Sequence, residues 1–131
     1  MEGQLQPKIE QFIYSYINSL EQLEILLLLF ESPDRSWTIE AVYDIIKSNP
    51  ASISRRLETL TQQGLVVADP ETKGGYRFQV SNPELTQTIQ ELSNAYTERR
   101  LRVIETVFSK PSSSIKSFAD AFRIRKDQKD G

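Results

Sequence analysis

The sequence predicts a mainly α-helical protein with one small β-hairpin. Three observations lead to this fold class: apolar residues recur at steps of three and four along most of the chain, helix-capping residues precede several of these segments, and one short stretch alternates apolar and polar residues after a turn. The 131 residues, 38% of them apolar and 26% charged, are enough for one compact domain or for a small domain extended by long helices.

The first part of the chain contains three helical segments. Residues 5–18 place apolar side chains at steps of three and four, which is typical of an amphipathic helix. A second helix begins at a capping box, SLEQ from Ser19, whose serine and glutamine are expected to accept from each other's exposed amides, and it ends before Pro33. Because apolar residues surround most of this helix, we expect it to be buried centrally. Residues 36–38 predict a brief strand, and Thr38 caps a third helix.

A fourth helix and a hairpin follow. Asn49 and Pro50 predict a helix start, because the asparagine accepts from free amides and proline has no amide to leave unpaired. The helix is expected to run to about Gln63 and to end at Gly64, which favours a left-handed terminator. Residues 65–80 contain an apolar run, a stretch of turn formers and an alternating run, and they therefore predict a two-stranded hairpin.

The C-terminal part predicts further helices. Helical spacing continues over residues 83–110, which at about 1.5 Å per residue gives a helix of roughly 40 Å, too long for a small domain to cover. A last short helix is expected at 113–125. The apolar faces of these two segments and of 5–18 would then remain partly exposed, and burying them between two copies predicts a homodimer. Each large apolar side chain buried there would contribute about 1.5–3 kcal/mol.

The order helix, brief strand, helix, turn, helix and hairpin is that of a winged helix-turn-helix. At about 100° per residue, Ile53, Leu57 and Leu60 share a narrow sector of the fourth helix and are expected to point inward. The opposite, outward sector then carries small, hydroxyl and basic residues: Ala51, Ser52, Arg55, Thr59 and Gln62, with Arg56 and Gln63 beside them. Small residues allow close approach to a groove, and arginine is a bidentate donor for guanine or phosphate.

The run SISRRLETLTQQGLV, residues 52–66, resembles the recognition helix and wing entry of MarR-like winged helix-turn-helix transcriptional regulators. The resemblance covers residues 19–82, and the flanking helices are similar in layout to that family's dimerisation elements. It implies a sequence-specific regulator that binds double-stranded DNA as a homodimer, with helix 50–63 in the major groove and hairpin 65–80 as the wing. The DNA-binding residues it implies are Ser52, Ser54, Arg55, Arg56 and Thr59 on the helix and Lys73 and Arg77 on the wing.

This reading divides the chain into four parts: 1–18, an N-terminal dimerisation helix; 19–82, the winged helix-turn-helix domain; 83–126, the C-terminal dimerisation helices; and 127–131, a polar tail. The layout is compatible with a small-molecule effector bound between the winged core and the dimer helices. The sequence identifies no such effector.

Two departures from the pattern of a DNA-binding regulator favour an alternative function. The wing lacks the acidic-x-Arg pattern usual in the family, and residues 19–82 hold 6 basic and 9 acidic side chains, whereas nucleic-acid binders normally present a basic face. Glu58 on the outward side of the fourth helix would oppose phosphates unless it accepts from a cytosine amine. The alternative is therefore a winged-helix module that binds another protein and not DNA.

Other prominent residues have simpler interpretations. Trp37, Tyr76 and Phe78 are expected in the core rather than in a base-stacking platform. Arg99, Arg100 and Arg102 predict a charged flank whose stems pack on a neighbour, with phosphate contacts or ion pairs to Glu98 or Glu105 across a dimer as the functional alternatives. The basic side chains near the C-terminus are expected to form a solvated end: Arg123, Arg125, Lys126 and Lys129.

Composition excludes several kinds of chemistry. The chain contains no Cys and no His, so it has no thiol nucleophile, disulfide, zinc finger or histidine base, and no acidic cluster has calcium-loop spacing. We therefore expect no enzyme, no metal and no cofactor. The N-terminal residues lack the pattern of a signal peptide and the longest apolar run covers residues 25–30, so we expect a cytoplasmic protein without a membrane partner.

Overall fold

The structure, a computed structural model, describes residues 5–109. Six helices and two strands follow one another within these residues: α1 (Pro7–Tyr16), α2 (Leu20–Glu31), α3 (Ile39–Ile46), α4 (Pro50–Gln62), β1 (Val66–Ala68), β2 (Tyr76–Phe78), α5 (Pro83–Glu98) and α6 (Arg100–Ser109). The mainly α-helical fold class with a small hairpin is confirmed. The expected helix at 113–125 and the tail at 127–131 lie outside the described residues.

Helix α2 lies at the centre, as its nearly uniform apolar surface predicts. It contacts α3, α4, α5 and β2, and it buries five of its apolar side chains: Leu23, Ile25, Leu26, Leu27 and Leu29. Helices α3 and α4 also contact each other, and β1 follows α4 directly and packs against it. The fold is a winged helix-turn-helix.

The hairpin is antiparallel, with Val67 opposite Arg77 in the register. Trp37 adds an isolated bridge: its backbone amide donates to the Tyr76 carbonyl at 2.7 Å and its carbonyl accepts from the Tyr76 amide at 2.8 Å. The brief strand expected at 36–38 is therefore reduced to this one bridge. Trp37 is 3% exposed, and Phe78 meets Phe30 of α2 edge to face at 5.2 Å, so these aromatic residues belong to the core as predicted.

Local capping signals set most helix ends. The Thr38 hydroxyl accepts from the Ala41 amide at 3.1 Å at the start of α3, and Gly64 ends α4 with a φ of +82°. The capping box of α2 forms in altered shape. Ser19 accepts from the Gln22 amide as expected, but the Gln22 side chain accepts from the amide of Asn18 rather than that of Ser19.

The continuous helix predicted over 83–110 is wrong. The chain breaks at Arg99, whose φ of −133° and ψ of 53° are not helical, and α5 and α6 meet there. Helix α6 turns back onto α1 and α5, which buries Val103 and Val107. A straight helix would have carried these two valines into water beyond the domain, so burial favours the break.

The expectation that 5–18 leaves an apolar face uncovered is also wrong. Helix α1 packs against α5 and α6, and Ile9, Phe12 and Ile13 are at most 3% exposed. The most exposed large apolar side chains on the flanking helices are Leu101 and Phe108 of α6, at 75% and 71% exposure, and Tyr14 of α1 is 42% exposed. The apolar surface available for a second copy is therefore concentrated on α6 within the described part of the chain.

Candidate nucleic-acid interface

The second helix of the helix-turn-helix, α4, has a buried and an open side. Ile53, Leu57 and Leu60 have no exposed surface and face α2 and α3, as their spacing predicts. Asn49 fixes the helix start, because its side-chain oxygen accepts from the amides of Ala51 at 2.9 Å and of Ser52 at 3.1 Å.

Two charged side chains extend from the open side of α4. Arg55 is exposed, and no carboxylate among residues 5–109 forms an ion pair with it. Glu58 is exposed on the same helix, three positions further on. Ser54 and Thr59 are half-buried and lie at the edges of this open surface.

Arg56 and Ser52 are held by a carboxylate of α2. The Glu21 Oε1 atom lies 3.0 Å from Arg56 Nε, and its Oε2 atom accepts from the Ser52 hydroxyl at 2.6 Å. Ser48, in the turn between α3 and α4, donates to the same Oε2 atom. The Glu21 side chain is 16% exposed and that of Arg56 is 31% exposed. Ser48 lies in the connection between α3 and α4, and Ser52 and Arg56 lie one helical turn apart on α4. The Glu21 carboxylate therefore joins that connection and α4 to the central helix.

The surroundings of Glu21 keep it ionised. Burial alone raises the pKa of this carboxyl, but the hydrogen bonds from Ser48, Ser52 and Arg56 and the positive charge of Arg56 together lower the pKa below its ordinary value of 4.5. Glu21 also lies in the first turn of α2, where the helix dipole favours a negative charge. At neutral pH, Glu21 and Arg56 therefore form a pair with no net charge.

The two wing residues of the expected site lie in different settings. Lys73 is exposed in the turn that joins β1 to β2. Arg77 is half-buried on β2, and its positive charge adds to the effect of the Glu71 amide in lowering the pKa of Asp69. Lys73 is thus an open cation on the wing, whereas the charge of Arg77 is partly balanced by Asp69.

A second polar network, which the sequence does not predict, holds the end of α4. Gln22 is fully buried, and its amide nitrogen donates to the Tyr16 carbonyl at 3.0 Å and to the Gln63 side-chain oxygen at 3.1 Å. Gln63 donates to the same carbonyl at 2.8 Å. The end of α1, the start of α2 and the end of α4 are therefore joined by hydrogen bonds between buried or half-buried groups. The available signal was the glutamine between Glu21 and Leu23, at the start of the apolar central helix.

The arginines around the α5–α6 break mostly find partners within the protomer. Arg100 lies 3.4 Å from Glu24 and over the Tyr96 ring at 4.4 Å, and Arg102 pairs with Glu105 on its own helix at 3.4 Å. Arg100 thus fits the prediction of a charged side chain that packs on a neighbouring residue, here Tyr96. Arg99 is half-buried at the break itself.

An open cleft of about 410 Å³ lies between α2, α3 and α5. Its walls combine Leu27, Leu28 and Ile46 with polar groups of Glu24 and Tyr96. The Tyr96 hydroxyl donates to Glu24 at 2.7 Å, and the pKa of Tyr96 is raised to about 12, first by burial and then by this carboxylate. The cleft lies between helices of the winged core and α5.

Two features are absent from residues 5–109. No helix there combines the length and apolar character needed to cross a membrane. No group of three or more acidic side chains there is arranged to hold a metal ion.

Comparison with known proteins identifies one similar solved structure. No family model matches the sequence, and no curated protein is significantly similar to it. The chain is similar to the crystal structure of a MepR point mutant from a multidrug resistant S. aureus clinical isolate. The two share 14% sequence identity, the match covers 95% of this chain and 88% of the other, and the TM-score is 0.49.

Proposed function

We propose that this protein is a transcriptional regulator that binds double-stranded DNA as a homodimer. In this proposal, α4 enters the major groove and the hairpin at 65–80 flanks the adjacent backbone. The observation that carries it is the position of Arg55: it is exposed and free of carboxylate partners within residues 5–109, on the side of α4 opposite Ile53, Leu57 and Leu60.

The surroundings of Arg55 fit a duplex. An α-helix matches the width of the major groove, and a guanidinium donates two parallel hydrogen bonds to guanine or to phosphate. Ala51, one turn before Arg55, is exposed and too small to keep the helix away from base edges. The exposed Lys73 at the hairpin turn supplies a phosphate contact on the flank.

The homodimer is supported by α6. Leu101 and Phe108 are about three-quarters exposed, and large apolar side chains at this exposure on one short helix favour burial against a partner. A second copy is the natural partner in a two-fold arrangement, which would present two α4 helices to one duplex.

The alternative, a module that binds another protein, is favoured by the charge balance. Acidic side chains outnumber basic ones in residues 19–82, and Glu21 neutralises one of the two arginines of α4. The two functions differ in their response to salt, because only a protein that neutralises several phosphates releases many counterions on binding.

The test is selection of bound sequences from random duplex DNA, followed by affinity measurements across a salt series. For about four phosphates neutralised per protomer, the slope of log K against log salt is expected near −7 for the dimer. Arg55→Gln should weaken specific binding about 5- to 150-fold, the equivalent of about 1–3 kcal/mol, if Arg55 reads a base.

Lys8→Gln is the control, because it removes one positive charge from α1, where Lys8 pairs with Glu91, away from α4 and the hairpin. It should leave affinity and slope unchanged. A wild-type slope near zero, or no binding to any duplex at low salt, would show that the proposal is wrong and would favour the protein-binding module.

A further inference from the structure

We propose that Glu21 is a positioning residue for DNA contact: it holds Arg56 out of the interface and leaves Arg55 as the α4 arginine that reaches the duplex. This inference rests on the proposed function and adds a division of roles between two adjacent arginines. It also assigns a role to a carboxylate of a helix that does not itself enter the groove.

The first step is the geometry of the carboxylate. Both oxygens of Glu21 are engaged, one by Arg56 and the other by Ser48 and Ser52. The donors lie 27, 31 and 35 positions away along the chain, so the contact is tertiary and fixes α4 against α2. To reach a phosphate, Arg56 would have to leave a carboxylate that is only 16% exposed.

The second step is the difference between the two arginines. Neighbouring residues on a helix point about 100° apart, so a groove that receives one side chain directly does not receive the next in the same way. Arg55 is exposed and Arg56 is 31% exposed and turned toward α2. The structure thus separates two residues that the sequence presents as one basic pair.

The third step is the charge that the DNA meets. Each phosphate neutralised by a protein cation releases counterions and contributes about −0.9 to the salt slope. The Glu21–Arg56 pair carries no net charge at neutral pH and therefore contributes little to this slope. Removing the carboxylate charge alone would return Arg56 to the set of free cations next to the duplex.

The experiment compares salt slopes of duplex binding for the wild type and for Glu21→Gln, the double variant Glu21→Gln/Arg56→Gln and Arg55→Gln. Glutamine keeps the size of the glutamate side chain and removes the positive charge of the arginine, and the double variant leaves the net charge unchanged. Glu21→Gln is expected to steepen the slope by about 0.9 per protomer and therefore by about 1.8 for the dimer, an additional loss of affinity of about 12-fold between about 50 and 200 mM salt. The double variant should show the wild-type slope, and Arg55→Gln a slope flatter by about 0.9 per protomer.

A wild-type slope for Glu21→Gln would overturn the inference, as would a double variant whose slope is as flat as that of Arg55→Gln. Circular dichroism checks the fold of each variant. If Glu21→Gln alone does not fold, the salt slope of the double variant is compared with that of Arg55→Gln. A wild-type slope in the double variant supports the inference, and a slope as flat as that of Arg55→Gln overturns it. If neither the wild type nor Glu21→Gln binds any duplex, the proposed function fails and this inference fails with it. Binding by both with equal slopes overturns the inference alone.

Discussion

Replacing the two exposed apolar side chains of α6 should dissociate the proposed dimer without unfolding the protomer. The perturbation is the double substitution Leu101→Ser and Phe108→Ser. Both side chains already lie in water within the protomer, at 75% and 71% exposure, so polar replacements there remove no buried contact. Surface substitutions of this kind usually change the free energy of unfolding by less than about 0.5 kcal/mol.

The magnitude follows from the exposed fractions. Full burial of a leucine or phenylalanine side chain contributes about 1.5–3 kcal/mol. About three-quarters of each side chain is still available for burial, and a two-fold dimer contains each of them twice. The four side chains together therefore supply about 4–9 kcal/mol of association free energy, which corresponds to about three to six powers of ten in the dissociation constant.

Sedimentation velocity at micromolar concentration measures the result. The wild type should sediment at twice the chain mass of 15.1 kDa and the double variant at the chain mass. Ile45→Ser is the matched control, because Ile45 is 59% exposed on α3 of the winged core and lies away from α6. A wild type that is monomeric under these conditions, or a double variant that dimerises as tightly as the wild type, would refute the assignment of α6 as the dimer surface.

Two further predictions concern buried polar groups. Gln22→Ala should lower the free energy of unfolding by about 1–3 kcal/mol in chemical denaturation, because it removes the hydrogen bonds of a buried amide to the Tyr16 carbonyl and to the Gln63 side-chain oxygen. Gln90→Ala, on the exposed side of α5, should have a much smaller effect. In an absorbance titration, one tyrosine should ionise near pH 12 and be missing in Tyr96→Phe. Folding raises this pKa above its ordinary value of 10.0. The stability that the Tyr96 contact provides is therefore present below pH 10 and is lost as the pH rises toward 12. An alkaline titration that is unchanged in Tyr96→Phe would contradict this assignment.

The parts of the fold that the sequence predicts well depend on neighbouring residues. Asn49 and Pro50 define the start of α4 through contacts within three positions, and Gly64 ends it through its own backbone conformation. The burial of Ile53 and Leu57 follows in the same way from helical spacing. These signals depend only on residues within one segment, so they can be interpreted without knowing how the rest of the chain folds.

The parts that the sequence does not predict depend on distant contacts. The arginines at 99 and 100 interrupt the apolar stripe, but arginine is a good helix former, so the interruption does not by itself mark the break between α5 and α6, which is favoured by packing on α1. The pairing of Arg56 with Glu21 joins residues 35 positions apart, and neither residue type indicates its partner. The charge presented by the candidate interface is therefore smaller than the number of arginines in α4 implies.

The hydrogen bonds from Gln22 and Gln63 to the Tyr16 carbonyl have a consequence for the architecture of a binding site on DNA. The Gln63 bond joins the end of α4 to the N-terminal helix, the Gln22 bond joins α2 to the same carbonyl, and both resist rotation of α4 relative to the N-terminal helix. In the proposed dimer, we expect these bonds to help fix the separation of the two α4 helices. We therefore expect tighter binding to operators whose half-sites are one helical turn of DNA apart, or a whole multiple of it, than to operators with a few base pairs inserted between the half-sites.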